Sequence, residues 1–308
     1  MKKNNSFAGR ANLGFNAFAT VGFTLAGLAL TGTLNAGPLQ PFNVLVADSQ
    51  ATVYSVNLGT RERTIVAQGG KLDRPYDLAV QRDGTIVVSD TATLRIVRVN
   101  PVTQEQTVVA EGGELGVPFG LDVDKHNGIY VANSSSVLRI NPKNGRVETV
   151  ATGGLLRAPL DVAVAPDGNI YVADAVAGIV RVNPANHKQT LIASGDMLHA
   201  PIGIALDGSH SAYVADASGQ CIVTVDLLDG TQKLVSMAGF LTTPVGIAIA
   251  PDGTLLVSDP DAFDFDGGIM TINPDGSQSP ITRGYGDLVN ARGIAIQPLS
   301  IARQKFGE

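Results

Sequence analysis

Tryptophan is absent from this 308-residue chain, cysteine occurs once, aromatic residues make up 5% of it and charged residues only 16%. A single thiol excludes an internal disulfide framework and any multi-cysteine zinc or iron–sulfur site; Cys221 reads as a small buried apolar residue. No run of Lys or Arg supplies the phosphate-neutralising stripe that nucleic-acid binding needs, and 22 basic against 28 acidic residues leave a net charge of −6. Nucleic acid is therefore not an expected partner. With so few rings, the core must come from Val, Ile, Leu and Ala, which together with 35 Gly and 16 Pro is a β-favouring mixture. Helix bundles and coiled coils do not fit it.

The N-terminus has its own character. Residues 1–10 carry Lys2, Lys3 and Arg10 with no acid, residues 15–30 are apolar or small, and Leu34-Asn35-Ala36 precedes Gly37-Pro38. This is the order of a secretory signal peptide over residues 1–36. Cleavage after Ala36 would remove three basic residues, leaving 19 against 28 and a charge of −9 on the mature chain. The alternative is an uncleaved anchor, weakened by Asn16 and the scattered Thr and Gly. No later segment is long and apolar enough to span a membrane, so a secreted or periplasmic mature protein is expected.

Residues 37–308 read as one domain built from a sixfold repeat. Val46-Ala47-Asp48, Val88-Ser89-Asp90, Val131-Ala132-Asn133, Val172-Ala173-Asp174, Val214-Ala215-Asp216 and Val257-Ser258-Asp259 end at intervals of 42, 43, 41, 42 and 43 residues. Pro75, Pro118, Pro159, Pro201 and Pro244 run in phase, as do Leu72, Leu115, Leu156, Leu198, Leu241 and Leu288. Such a period marks a repeat architecture. Within one unit, turn residues separate four short apolar runs: residues 161–164, 170–173, 179–182 and 189–192. A four-stranded sheet with apolar residues on both faces must stack on copies of itself, which predicts an all-β, six-bladed β-propeller of antiparallel blades. The first copy lacks its innermost strand, and Arg292-Gly293-Ile294-Ala295-Ile296 at the other end supplies one, so the C-terminal strand is expected to close the ring.

Residues 244–259, of the form Pro-x-Gly-Ile-Ala-x-x-Pro-Asp-Gly-x-x-x-Val-x-Asp, resemble the NHL-repeat signature, as do Tyr171-Val172-Ala173-Asp174 and Ile179-Val180-Arg181-Val182. The resemblance covers all six repeats, residues 42–298. Related six-bladed propellers include protein-binding scaffolds, amidating lyases, streptogramin-type lyases and metal-dependent lactonases of the SMP-30 group, and the fold alone does not choose among them. The resemblance implies that one face, carrying the second-to-third-strand loops and the blade connections, holds the ligand. The opposite face would hold the tight turns Asp83-Gly84, Asn127-Gly128, Asp167-Gly168 and Asp252-Gly253. Departures also follow. The streptogramin lyases favour Trp and Glu near the second-strand end, where this chain has Val-Ala-Asp. The metal-binding Glu of the lactonases has no evident match, and His126, His187 and His210 fall on the opposite face, away from any zinc site.

Candidate site residues come from that geometry. The ring Asp48, Asp90, Asn133, Asp174, Asp216 and Asp259 could converge on a cation, but a residue type present in every blade more simply serves the repeat by accepting loop amides. Differences between blades carry more. After the inner-strand prolines come Tyr76-Asp77, Phe119-Gly120, Leu160-Asp161, Ile202-Gly203 and Val245-Gly246, with Arg292-Gly293 equivalent. Asp77, Asp161 and Arg292 therefore place charge at the channel mouth, either as an Arg292–Asp77 ion pair or as a ligand-binding Arg with two carboxylates, beside Tyr76 and Phe119. His199 is the one histidine on that face. From the motif Asp or Asn to the third-strand Asn or Asp the count is 8 to 10 residues in five blades but 14 from Asp259 to Asn273. The extra residues bring Asp259, Asp261, Asp264 and Asp266 together with two phenylalanines, either a calcium loop of irregular register or an acidic contact surface.

No nucleophile–base arrangement is legible. The expected function is a binding module for a protein, peptide or carbohydrate on the upper loops and channel mouth, acting as a monomer, with Ca²⁺ the only cofactor in view. The alternative is a metal-dependent lyase or lactonase with its site in the central channel.

Overall fold

The computed structural model describes residues 43–208, 210–283, 288 and 290–297; residues 1–36, expected from the sequence to be a signal peptide, lie outside them. Its 24 strands form six four-stranded antiparallel sheets. Five are consecutive in sequence, as in β4 (Pro75–Val80), β5 (Ile86–Asp90), β6 (Arg95–Val99) and β7 (Gln106–Glu111). The sixth combines β1 (Asn43–Asp48), β2 (Thr52–Asn57) and β3 (Arg63–Gln68) with β24 (Ala291–Gln297) as its innermost strand. The inner strands β4, β8 (Pro118–Val123), β12 (Pro159–Val164), β16 (Pro201–Leu206), β20 (Gly246–Ile249) and β24 each neighbour the next, and β24 returns to β4. The ring of six blades is closed, as the repeat predicted.

Alternation along the second strands explains why they are apolar throughout. In β5, Ile86 and Val88 pack against Leu45, Ala47 and Val53 of the first blade, while Val87 packs against Leu121, Ile129 and Val131 of the third. Six such clusters occur, one at each junction between blades. Each sheet thus has two buried faces, a period-2 pattern in which both phases are apolar. The phased leucines Leu72, Leu115, Leu156, Leu198, Leu241 and Leu288 are all buried at the upper edge of these junctions.

Closure rests on ladder pairing of Val44 with Ile296 and Val46 with Ile294. A polar chain reinforces it: Asn43 Nδ2 donates to Ser55 Oγ (3.0 Å), which donates to Gln297 Oε1 (2.8 Å).

The bottom turns follow their sequence with one adjustment. Gly84, Gly168 and Gly253 take positive φ, but in the third blade it is Asn127, not Gly128, that occupies this position. A Cβ on Gly128 would crowd the Asp124 carboxylate. Asn tolerates the left-handed region better than other non-glycine residues, because its side chain can bond locally.

Two outcomes test this organisation. Deleting residues 291–308 should abolish the cooperative melt of the whole ring rather than fray the first blade, because both junctions of that blade lose their inner strand; calorimetry reads the difference. Asp174, fully buried, accepts four backbone amides, and Asp174→Ala should cost on the order of 3 kcal/mol in urea unfolding by orphaning them.

Candidate functional site

The upper face is the end where the inner strands begin and the second strands reach their motif Asp or Asn. Those residues act as loop clamps. Asp90 Oδ2 accepts the amides of Asp73 (2.7 Å) and Arg74 (2.9 Å), and its Oδ1 accepts that of Thr93 (2.8 Å). Asp216 does the same for His199, Ala200 and Gly219, and Asp259 for Thr242, Thr243 and Asp261. One oxygen holds the descending blade connection and the other the second-to-third-strand loop. The five aspartates are thus hydrogen-bond acceptors already in use, whereas Asn133 donates through Nδ2 to the Glu114 carbonyl (3.4 Å) and accepts only the Ser134 amide (2.6 Å); burial raises the Asp259 carboxyl above its usual range.

Inside this ring, the inner strands carry a bulge that sequence alone does not show. Pro75 pairs with Asp90 and Asp77 with Ser89, leaving Tyr76 as the extra residue; Leu160 and Ile202 are placed alike, Phe119 and Arg292 within the corresponding shifts. A bulge re-aims a side chain out of the ladder, and here it sets the variable residues of successive blades around the channel mouth.

Below them lies a ring of Asp77, Gly120, Asp161, Gly203, Gly246 and Gly293. A Cβ on Gly120 would overlap Asp161, and one on Gly293 would overlap Asp77. Each carboxylate therefore needs a glycine in the neighbouring blade. Asp77 Oδ2 accepts the free edge amide of Leu121 in the next blade (2.8 Å), and Asp161 Oδ2 accepts that of Ile204 (2.9 Å) while its Oδ1 holds Val162 (2.7 Å). Asp122, one layer lower, repeats the device on Val164 (2.8 Å). The throat bounded by Tyr76, Asp77, Asp161 and Ile202 has only about 10 Å³ of open space, about the least that holds one water. Beneath it the channel widens to about 420 Å³, lined by aliphatic side chains together with Asp77, Asp122 and Asp161.

Burial dominates the electrostatics. It raises Asp77 to about 7 and Asp122 to about 6 against the pull of the amides, and holds Asp161 well above its usual range with Asp77 adding to the effect. Tyr76 is likewise raised, first by burial and then by Asp161.

The expected residues are only partly assembled. Tyr76 and Phe119 meet edge to face at 5.4 Å, and with Arg74, Arg292, Pro75, Val117, Ser49 and Thr91 they line an upper recess of about 470 Å³. Asp77 and Asp161 sit in the throat below it, with Tyr76 bordering both spaces. The Arg292–Asp77 ion pair does not form, because Asp77 turns its carboxylate to the Leu121 and Leu78 amides. His199 stands apart, exposed in the fifth blade beside Gly219.

In the long loop, Asp259 is committed to amides, while Asp261, Asp264 and Asp266 line a second recess of about 360 Å³ with Phe240, Phe263 and Phe265. Among the described residues, no three His, Cys, Asp or Glu side chains are grouped to hold a metal ion. Phe263, Asp264 and Phe265 all take positive φ, a left-handed turn that leaves Phe265 73% exposed.

Sequence reasoning missed two residues. Asp122 occupies a position held by Ala79, Ala163, Ala205, Ala248 and Ala295 in the other blades, so a lone acid among alanines was the available signal. Arg74, just before Pro75, had no signal beyond its charge.

These features define a six-bladed β-propeller whose upper face carries two recesses. Residues 77–283 match the SMP-30/Gluconolactonase/LRE-like region, and the chain belongs to that family. No curated protein matches the sequence. Among solved structures, the chain is similar to one from a nidogen/laminin complex (TM-score 0.72, 16% identity, 83% of this chain and 98% of that one). It is also similar to virginiamycin B lyase from Staphylococcus aureus (TM-score 0.57, 15% identity, 71% of this chain and 73% of that one). At these identities the likeness is one of fold.

Raised carboxyls have a thermodynamic signature. The folded protein keeps the Asp77 proton up to about pH 7 and the unfolded chain releases it near 3.8, so this group's stabilisation is full below pH 4 and lost as pH rises toward 7. The urea midpoint should fall between pH 5 and 8, and Asp77→Asn, which keeps an acceptor for Leu121, should flatten that slope.

Proposed function

We propose that this protein is a secreted or periplasmic binding module that engages a protein, peptide or carbohydrate through its upper face. The observation that carries the reading is the commitment of the channel carboxylates: Asp77, Asp122 and Asp161 each tie one inner strand to a neighbouring one by accepting a backbone amide, and the throat beside Asp77 and Asp161 has only about 10 Å³ of open space. What remains open above them is a pair of recesses walled by Tyr76 and Phe119 and by Phe240, Phe263 and Phe265, with Phe265 itself 73% exposed. Aromatic walls with a few polar groups are the ordinary make-up of recognition sites. A propeller of like fold in a nidogen/laminin complex supports protein binding as a use of this architecture.

An enzymatic reading has one observation in its favour, the raised Asp77 and Asp161 pair, since perturbed carboxyls cluster at catalytic sites. Such an enzyme would have to work from the wider channel below the throat.

The test is capture by crosslinking from the extracellular or periplasmic fraction with residues 37–308 as bait. Phe119→Ser with Phe265→Ser should lower recovery of the captured species at least tenfold, while Leu228→Ser in an opposite-face turn leaves it unchanged. Equal recovery with all three baits, or lactone hydrolysis abolished by Asp161→Asn, would overturn the binding reading.

A further inference from the structure

The chain has 22 basic and 28 acidic residues, yet the recess between the first three blades presents two arginines and no acid in its lining. Among the described residues neither Arg74 nor Arg292 forms an ion pair. Two guanidinium groups facing one recess repel each other unless an anion joins them. Nor is either placed by accident of a loose loop. The Arg74 backbone is held at both ends, its amide by Asp90 Oδ2 (2.9 Å) and its carbonyl by the amide (3.0 Å) and hydroxyl (3.1 Å) of Thr91. Arg292 sits at the inner-strand bulge, its carbonyl bonded by Ser258 Oγ. The half-buried Tyr76, which borders both this recess and the throat, has no hydrogen-bond partner for its hydroxyl among the described residues and adds a donor. The carboxylates that could neutralise the arginines are turned away into the throat, on Leu121 and Ile204.

The remaining walls, Pro75, Val117 and Phe119, are apolar, and about 470 Å³ suits a group larger than an inorganic ion. Guanidinium recognises a carboxylate by parallel hydrogen bonds, which half-buried Arg292 and exposed Arg74 are free to make.

We propose that this recess binds an organic carboxylate carrying an apolar body, with Arg74, Arg292 and the Tyr76 hydroxyl holding the carboxylate and Phe119 packing on the apolar part. Two sources present that chemistry: a free peptide C-terminus ending in an apolar residue, and a small aliphatic or aromatic acid. The proposal deepens the binding reading of the upper face and rests on it. Direct titration with small probes fails on the recess alone, whereas the capture experiment fails on the whole face.

Residues 37–308 are titrated calorimetrically at pH 7.5 with N-acetyl-Ala-Ala-Phe and 3-phenylpropanoate, each beside its amide, and with inorganic phosphate. At least one of the two acids should bind saturably and at least tenfold more tightly than its amide and than phosphate. Arg292→Met and Arg74→Met should each weaken it at least tenfold and Tyr76→Phe about threefold, with melting temperatures within a few degrees of the parent. Tighter binding of the peptide acid assigns the site to chain termini, and tighter binding of 3-phenylpropanoate to small acids. No saturable binding of either acid, equal binding of acid and amide, phosphate binding as tightly as both acids, or a folded Arg74→Met/Arg292→Met double variant that binds like the parent would overturn the proposal.

Discussion

Every blade of this protein is held by surface that belongs to its neighbours. A four-stranded sheet with Ile86 and Val88 on one face and Val87 on the other has no side left for water, so no blade has an independent fold and the six junctions must form together. Ring closure by β24 follows from this as a requirement: leaving the first blade without an inner strand would expose two junctions at once. The same constraint reaches the channel, where six inner edges offer unpaired backbone amides. Asp77, Asp122 and Asp161 answer three of them from the adjacent blade, and the junctions are thereby stitched by polar bonds at the axis as well as by apolar packing further out.

This reading changes what the acids mean. Buried carboxylates in a channel invite a catalytic interpretation, and their raised affinity for protons is consistent with one. Their partners point elsewhere. Each is satisfied by an amide it was positioned to meet, each throat Asp stands beside a glycine that makes room for it, and the loop-clamping aspartates above are engaged in the same manner. The open face instead presents Arg74, Arg292 and Tyr76 in one recess and Asp261, Asp264 and Asp266 among phenylalanines in the other.

Much of the fold was legible because it is periodic: the Val-x-Asp motif, the inner-strand prolines and the phased leucines each recur for a reason that burial or clamping explains. The incomplete first unit also announced its closure by residues 292–296. The site was less legible because it consists of departures from the repeat. Tyr76, Phe119 and Arg292 stood out by type, but their projection into one recess depends on a bulge in the ladder, and a bulge is a matter of register that a single sequence does not record. Asp77 and Arg292 were close enough in sequence logic to suggest an ion pair; the competing amides of Leu78 and Leu121 decided otherwise. Asp122 was marked only as a lone acid among alanines, and nothing in the repeat says that this position of an inner strand borders the channel.

The narrow throat has a consequence for how the molecule can change. A ring with about 10 Å³ at its waist is not a pore but two cups set back to back, one opening among the loops and the other among the hairpins. Apart from the waist, where Asp77, Asp161 and Tyr76 are shared, the walls of the two cups are different residues, so the two ends are free to diversify separately over evolutionary time, and a second recognition site could be built into the lower cup while the first is left intact.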